Sequence, residues 1–214
     1  MTMKLLIFGA TGGTGRELVS QALRQGHSVT AFVRNPSLVQ LQHPKLTVVK
    51  GDVLDYNTIE PAMSGHDAVL STIGMPANKT GVLRSEGTRN IIRAMEKKGL
   101  KRFICQTSLG YGDSREVLRR TPFIFRYVIV PFILKKGFAD HALQEKYIKG
   151  SGLDWVIVRP GNLTDGELTG RYRYGFAPTD PHVTVKVSRA DVADFMLKQL
   201  TGSTFIHKTP GISY

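Results

Sequence analysis

The chain has 214 residues, enough for one well-buried domain and too few for two of ordinary size. Its 41% hydrophobic and 21% charged residues exclude the fibrous and disordered classes, and its single cysteine, Cys105, excludes an internal disulfide framework and fits a reducing compartment. Lys and Arg number 29 against 17 Asp and Glu, a net charge of +12 that draws anions of any kind: nucleic acid, membrane surface, or phosphorylated and carboxylated small molecules.

The first expected strand is Lys4–Phe8. Its apolar run ends after four residues, too short for the core of a signal peptide, so the expected location is the cytoplasm. Gly9, Gly12 and Gly15 follow at intervals of three, with Leu18, Val19, Ala22 and Leu23 on one face of an expected helix that stops at Gly26. A strand that turns sharply into a helix needs residues without Cβ. A pyrophosphate approaching that backbone then finds free N–H groups and the positive end of the helix dipole. Thr11 and Thr14 add hydroxyl donors, and in the first strand–turn–helix of a βαβ series the pattern points to a dinucleotide.

The second strand, Ser28–Val33, ends on Arg34 with no acid close by. An acid there would hold the ribose hydroxyls of NAD, whereas an Arg suits the 2′-phosphate of NADP and presents a planar fork to it. After the third strand, Leu46–Val49, Asp52 stands where a side chain can reach an adenine amino group or, equally, cap an ordinary turn. Further strands are expected at Ala68–Thr72, Arg102–Gln106 and Trp155–Val158. Helical faces are expected at Ile91, Ile92 and Met95 (stopped by Gly99) and at Val192, Met196 and Leu200 (opened by Ser188-Arg189-Ala190-Asp191 as a capping box). Strands alternating with helices give an α/β parallel sheet in one domain, 1–214.

The exception is Pro122–Leu134, "PFIFRYVIVPFIL", followed by Lys135 and Lys136. Thirteen residues with Arg126 inside cannot span a bilayer as a helix. A lid over the site, an oligomer contact, an interfacial membrane anchor and a buried excursion all fit. No long basic stripe and no aromatic-rich RNA-binding signature accompany the charge, so no nucleic-acid partner is expected. No His, Cys, Asp or Glu cluster has metal-ligand spacing.

The stretches "KLLIFGATGGTG", "VTAFVRNPS", "VVKGDVLD", "DAVLSTIG", "SEGTRNIIRAM", "QTSLG" and "SGLDWVIVRPG" resemble the atypical short-chain dehydrogenase/reductases, in particular the biliverdin reductase B/flavin reductase group, with the NmrA-like proteins a step further away. The likeness runs from Lys4 to about Leu200, with an apolar insertion or lid over about residues 115–138. It implies a Rossmann-type doubly wound parallel sheet that binds NADPH, and an open site that reduces flavins, biliverdins or quinone-like acceptors. FMN would then be a substrate and not a bound prosthetic group.

Carried over by position, the likeness assigns Gly9, Thr11, Gly12, Gly13 and Thr14 to the phosphate loop, with Gly15 closing the motif. Arg34 falls on the 2′-phosphate contact, while Leu38 stands nearest to where the group has a second basic residue. Asp52 and Val53 match the adenine contacts, and Ile73, Gly74 and Met75 the segment passing the cofactor's middle. Thr107 and Ser108 lie beside the nicotinamide; Pro160, Gly161 and Asn162 form the loop closing over it, with Gly161, where the group often has a bulkier residue, suggesting a roomier pocket.

The wider superfamily uses Tyr-x-x-x-Lys on a helix, so that the ammonium lowers the phenol's pKa. No tyrosine here has a Lys four residues later; Lys146 is the candidate lysine, and Ala142 holds the tyrosine's place. Flavin or bilin reduction is less demanding, because the acceptor is electron-poor and water can deliver the proton. Ser108 is the candidate for orienting nicotinamide and acceptor. The other reading is a non-catalytic NmrA-like redox sensor that binds NADP and a protein partner.

Overall fold

A computed structural model describes residues 1–75 and 81–214. The chain runs β1 (Lys4–Phe8), α1 (Gly13–Arg24), β2 (Ser28–Val33), β3 (Leu46–Lys50), α2 (Tyr56–Ala62), β4 (Ala68–Ser71), α3 (Leu83–Lys98) and β5 (Arg102–Gln106). It continues through a 3₁₀ stretch (Gly112–Arg120) and a π-helical segment (Phe125–Leu134) into α4 (Lys135–Lys149). β6 (Asp154–Pro160), β7 (Asn162–Thr164), β8 (Arg173–Tyr174), β9 (Lys186–Ser188), α5 (Arg189–Lys198) and β10 (Gly211–Ser213) complete it.

Eight strands form one sheet in the order β3-β2-β1-β4-β5-β6-β10-β8, parallel except for β8, and β7 pairs with β9 in a small separate ladder. This is a Rossmann-type doubly wound sheet. Leu5, Leu6, Ile7 and Phe8 are all fully buried because β1 is covered on both faces. Period-two alternation sends Leu5 and Ile7 into a core with α1 and α5 (Leu18, Ala22, Val192, Phe195). Leu6 and Phe8 enter the opposite core, with α2, α3 and α4 (Ile59, Ile91, Met95, Ile148).

Chain direction across the sheet reverses between β1 and β4, which sets the loops after these strands apart and opens a crevice at their C-terminal ends. Gly9 needs its missing side chain there: its φ is +79°, and a Cβ would lie 2.7 Å from the Thr72 carbonyl carbon.

The helix stops at Gly26 and Gly99 stand as expected, both at positive φ. Ser188 caps α5 by accepting from the Asp191 N–H at 3.0 Å. The capping box is only half made, since the Ser188 N–H turns to the Tyr214 hydroxyl and the Asp191 carboxylate binds Thr169, Gly170 and Tyr214.

β6 extends to Pro160, beyond the expected Val158. The three-residue strands β7, β9 and β10 carry no readable alternation and owe their existence to partners. The Pro122–Leu134 stretch is not a buried excursion: no residue from Phe125 to Leu134 is buried. Pro131 has no N–H to give the carbonyl four residues back, and the helix around it is π-helical, with bonds running i to i+5. No described helix is long and apolar enough to cross a membrane.

Candidate cofactor-binding site

A cavity of about 550 Å³ occupies the crevice. One wall is the turn from β1 to α1, closed by a bond from the Gly12 N–H to the Gly9 carbonyl at 3.0 Å. The first N–H groups of α1 have no acceptor within the helix, no side chain caps them, and no acid stands in the first turn. A Cβ on Gly15 would sit 2.1 Å from the Gly9 oxygen, so the third glycine lets α1 pack down on the loop. Gly15 is buried and supports the wall without lining it.

The cavity brings together Gly9, Thr11, Gly12, Gly13, Thr14, Arg34, Val53, Ile73, Gly74 and Met75 from the sequence-derived set. Arg34 is exposed at the end of β2, where a phosphate at the rim would meet it. Asp52 is outside the lining: its carboxylate accepts from the Leu54 N–H at 2.9 Å, the turn-capping role, while Gly51 and Val53 on either side reach the cavity.

Thr107, Ser108, Pro160, Gly161 and Asn162 also fall outside the lining. Their neighbours Gln106 and Leu163 form that end of the crevice. The Ser108 hydroxyl donates to the Leu109 carbonyl at 3.0 Å, and Thr107 donates to Glu145 at 2.9 Å. Gly161 is a glycine for a backbone reason, since a Cβ there would lie 2.6 Å from the Val185 carbonyl. Lys146 and Ala142 are both exposed on α4. The inward face of that helix carries Gln144, Glu145 and Ile148, with His141 half-buried beside them.

Three residues escaped the sequence reading. Arg189, at the start of α5, lies over the phosphate loop so closely that a Cβ on Gly13 would meet its Cδ at 2.5 Å. Its guanidinium is tethered by Asp165 at 2.5 Å. Gln106 lines the cavity with its Oε1 buried and unpartnered among the described residues. Leu163 faces it from β7. The uncapped helix start, two guanidinium groups and the unpartnered amide oxygen fit a dinucleotide carrying several phosphates and a carboxamide.

Behind this end lies a buried polar network. Arg159 bonds both Glu145 oxygens, at 2.8 and 2.5 Å, and reaches Asp113 at 2.6 Å. Tyr111 donates to Glu145 at 2.6 Å and Lys149 at 3.0 Å completes the shell. Burial works to raise the Glu145 carboxyl, but the hydrogen bonds and charge of Arg159, with those of Tyr111 and Lys149, hold it down at about 2. Burial, with Glu145 beside it, pushes the Tyr111 phenol well above its usual range, so it is a donor only. Burial first, then the Arg84 charge, lowers His141 to about 4 and keeps it neutral near pH 7.

An α/β sheet with a glycine-rich turn, an open helix start and a basic rim at its switch point defines a nucleotide-binding protein. The comparisons agree: the NAD(P)H-binding family model matches residues 9–203, and the chain belongs to that family. It is also similar to the anaerobilin reductase ChuY of Escherichia coli O157:H7 (26% identity, TM-score 0.76, covering 98% of this chain and 96% of that one). A Rossmann-fold NAD(P)-binding family protein of Shigella flexneri is 27% identical with a TM-score of 0.74, over 98% of this chain and 92% of that one. Photosystem II assembly factor Ycf39 of Synechocystis is 30% identical over 79% of this chain; the chain spans 48% of its length.

Proposed function

We propose that the protein is an NADPH-dependent reductase that delivers hydride to a small, electron-poor anionic acceptor of the flavin or bilin class. The observation carrying this reading is the cavity itself: phosphate loop, Arg34 at one rim and Gln106 with Leu163 at the other, in one continuous crevice. Bound NADPH supplies the hydride. Gly12 to Thr14 and Arg189 hold the phosphates, Arg34 meets the 2′-phosphate, and Gln106 orients the carboxamide. Ser108 and Thr107 stand at the end of β5, next to Gln106, and position the reacting end from behind.

The lack of a Tyr–Lys pair at 142 and 146 favours an acceptor whose protonation water can complete. The +12 charge concentrates FMN, bilin propionates and NADPH alike. The likeness to an anaerobilin reductase supports the tetrapyrrole arm. The same lack of an acid favours the sensor reading, in which NADPH binds and nothing turns over.

NADPH oxidation by the purified protein, followed in the near-ultraviolet with FMN and with biliverdin and with NADH as control, tests both. Turnover preferring NADPH supports the reductase. Tight NADPH binding without turnover on either acceptor rejects it in favour of the sensor.

A further inference from the structure

The apolar segment before α4 has an exposure pattern that a buried core element would not show. Phe123, Ile124, Tyr127, Val128, Phe132 and Ile133 are exposed, while Phe125, Arg126, Ile129, Val130 and Leu134 are half-buried. The repeat of four to five residues is that of the π-helix, in which bonds run i to i+5. The segment therefore has a half-buried face and an exposed one, and the exposed face turns a row of large apolar side chains to solvent. Phe123 and Phe132 are 73% and 81% exposed. Apolar surface of this kind on a folded chain marks an interaction site.

Charge identifies the partner. From residue 117 to 139 the sequence holds Arg119, Arg120, Arg126, Lys135 and Lys136 and no acid. Arg119 is paired with Glu116 and Arg120 donates to the Thr179 and Pro181 carbonyls, but Lys135 and Lys136 stand exposed at the helix's end. A second copy meeting this face about a twofold axis would bring the same cations together, on molecules already carrying +12 each. An anionic bilayer surface instead accepts the apolar row into its acyl boundary and the cations among its headgroups.

We propose that residues 122–136 are an interfacial helix that docks the protein on anionic lipid membranes. The helix lies in the plane of the interface, being too short to cross it. It runs without a break into α4, where Asp140 accepts from the N–H groups of Arg84 and Ser85 at 3.1 and 3.0 Å, next to the cavity-lining Leu83. The docked helix is thus joined, through α4, to the start of α3 beside the cavity-lining Leu83. The inference is independent of the reductase reading.

Flotation of the full chain with phosphatidylglycerol-containing vesicles, and with phosphatidylcholine vesicles as control, tests it. Binding is expected to the anionic vesicles alone and to weaken with salt. Phe123→Ser/Phe132→Ser and Lys135→Glu/Lys136→Glu are each expected to weaken binding by roughly tenfold or more. All four positions are exposed, and circular dichroism identifies either pair if it fails to fold. No flotation, or flotation equal in folded variants and wild type, overturns the proposal. So does a wild-type dimer in sedimentation that Phe123→Ser/Phe132→Ser dissociates, because a second copy then covers the face.

Discussion

Arg159 and Glu145 face each other as parallel forks, Nε to Oε1 at 2.8 Å and Nη2 to Oε2 at 2.5 Å, with both side chains at least 95% buried. The two residues come from β6 and α4, and their pair locks that helix against the sheet beside the end of β5. Thr107 and Tyr111 hang on the same carboxylate. A bidentate pair this deep acts as a positional lock, because removing either partner leaves the other buried with only the more exposed Asp113 or Lys149 to offset its charge.

Replacing Glu145 by Ala is therefore expected to cost about 3–5 kcal/mol of stability in urea unfolding. The pH dependence has a definite sign. The folded carboxyl is held at about 2 against about 4.3 in an unfolded chain. Its contribution is present above the unfolded value and lost as pH falls from about 5 toward 2. A flatter acid-unfolding curve in Glu145→Gln than in wild type checks this.

Arg34 and Arg189 are expected to separate by cofactor. In the proposed binding mode, Arg34→Ala removes a charge-assisted contact to a group NADH lacks, so KM for NADPH is expected to rise about tenfold to a hundredfold while that for NADH barely moves. In the same binding mode Arg189→Ala removes a contact to the pyrophosphate that both share, so both are expected to rise together. Steady-state kinetics with the two cofactors distinguishes the outcomes.

Gly161→Ala is expected to destabilise the protein by about 1–3 kcal/mol without narrowing acceptor choice, because its Cβ meets the Val185 backbone and not the cavity. Thermal unfolding together with relative rates on FMN and biliverdin tests this. A changed rate ratio at unchanged stability would return Gly161 to the pocket.

Burial raises the Cys105 thiol far above its usual range and keeps it protonated; the Gln144 amide lies 3.4 Å from the sulfur. Ellman's reagent is expected to leave it unmodified in the folded protein and to react with one thiol per chain in urea.

The sequence-derived residues that line the cavity are those whose place is set within one strand–turn–helix. Gly9 to Thr14 are placed by the local turn and the start of α1, and Arg34 by the end of β2. Arg189, Gln106 and Leu163 reach the crevice only because separate strands and α5 converge on it. Nothing within a few residues of Arg189 announces that it will lie across Gly13; as sequence it is simply the first residue of a capped helix. Lys146 illustrates the converse: a spacing of four from position 142 places both on one helical face, but which face meets the sheet is decided by packing. Ile148 and the Glu145–Arg159 pair turn that face to solvent.

The final strand has a bearing on how the chain reaches this state. β10 lies between β6 and β8, although β8 precedes it in the chain, and the Tyr214 hydroxyl donates to Asp191 at 2.7 Å and accepts from the Ser188 N–H at 3.0 Å. During synthesis, β1 to β6 can pair as they emerge, but β8 has no neighbour until β10 arrives. The start of α5, and with it Arg189, is anchored by a residue made still later. The nucleotide crevice is therefore assembled in two instalments: the glycine turn early and locally, its basic clasp last, by a long-range closure that is slow for reasons of chain entropy.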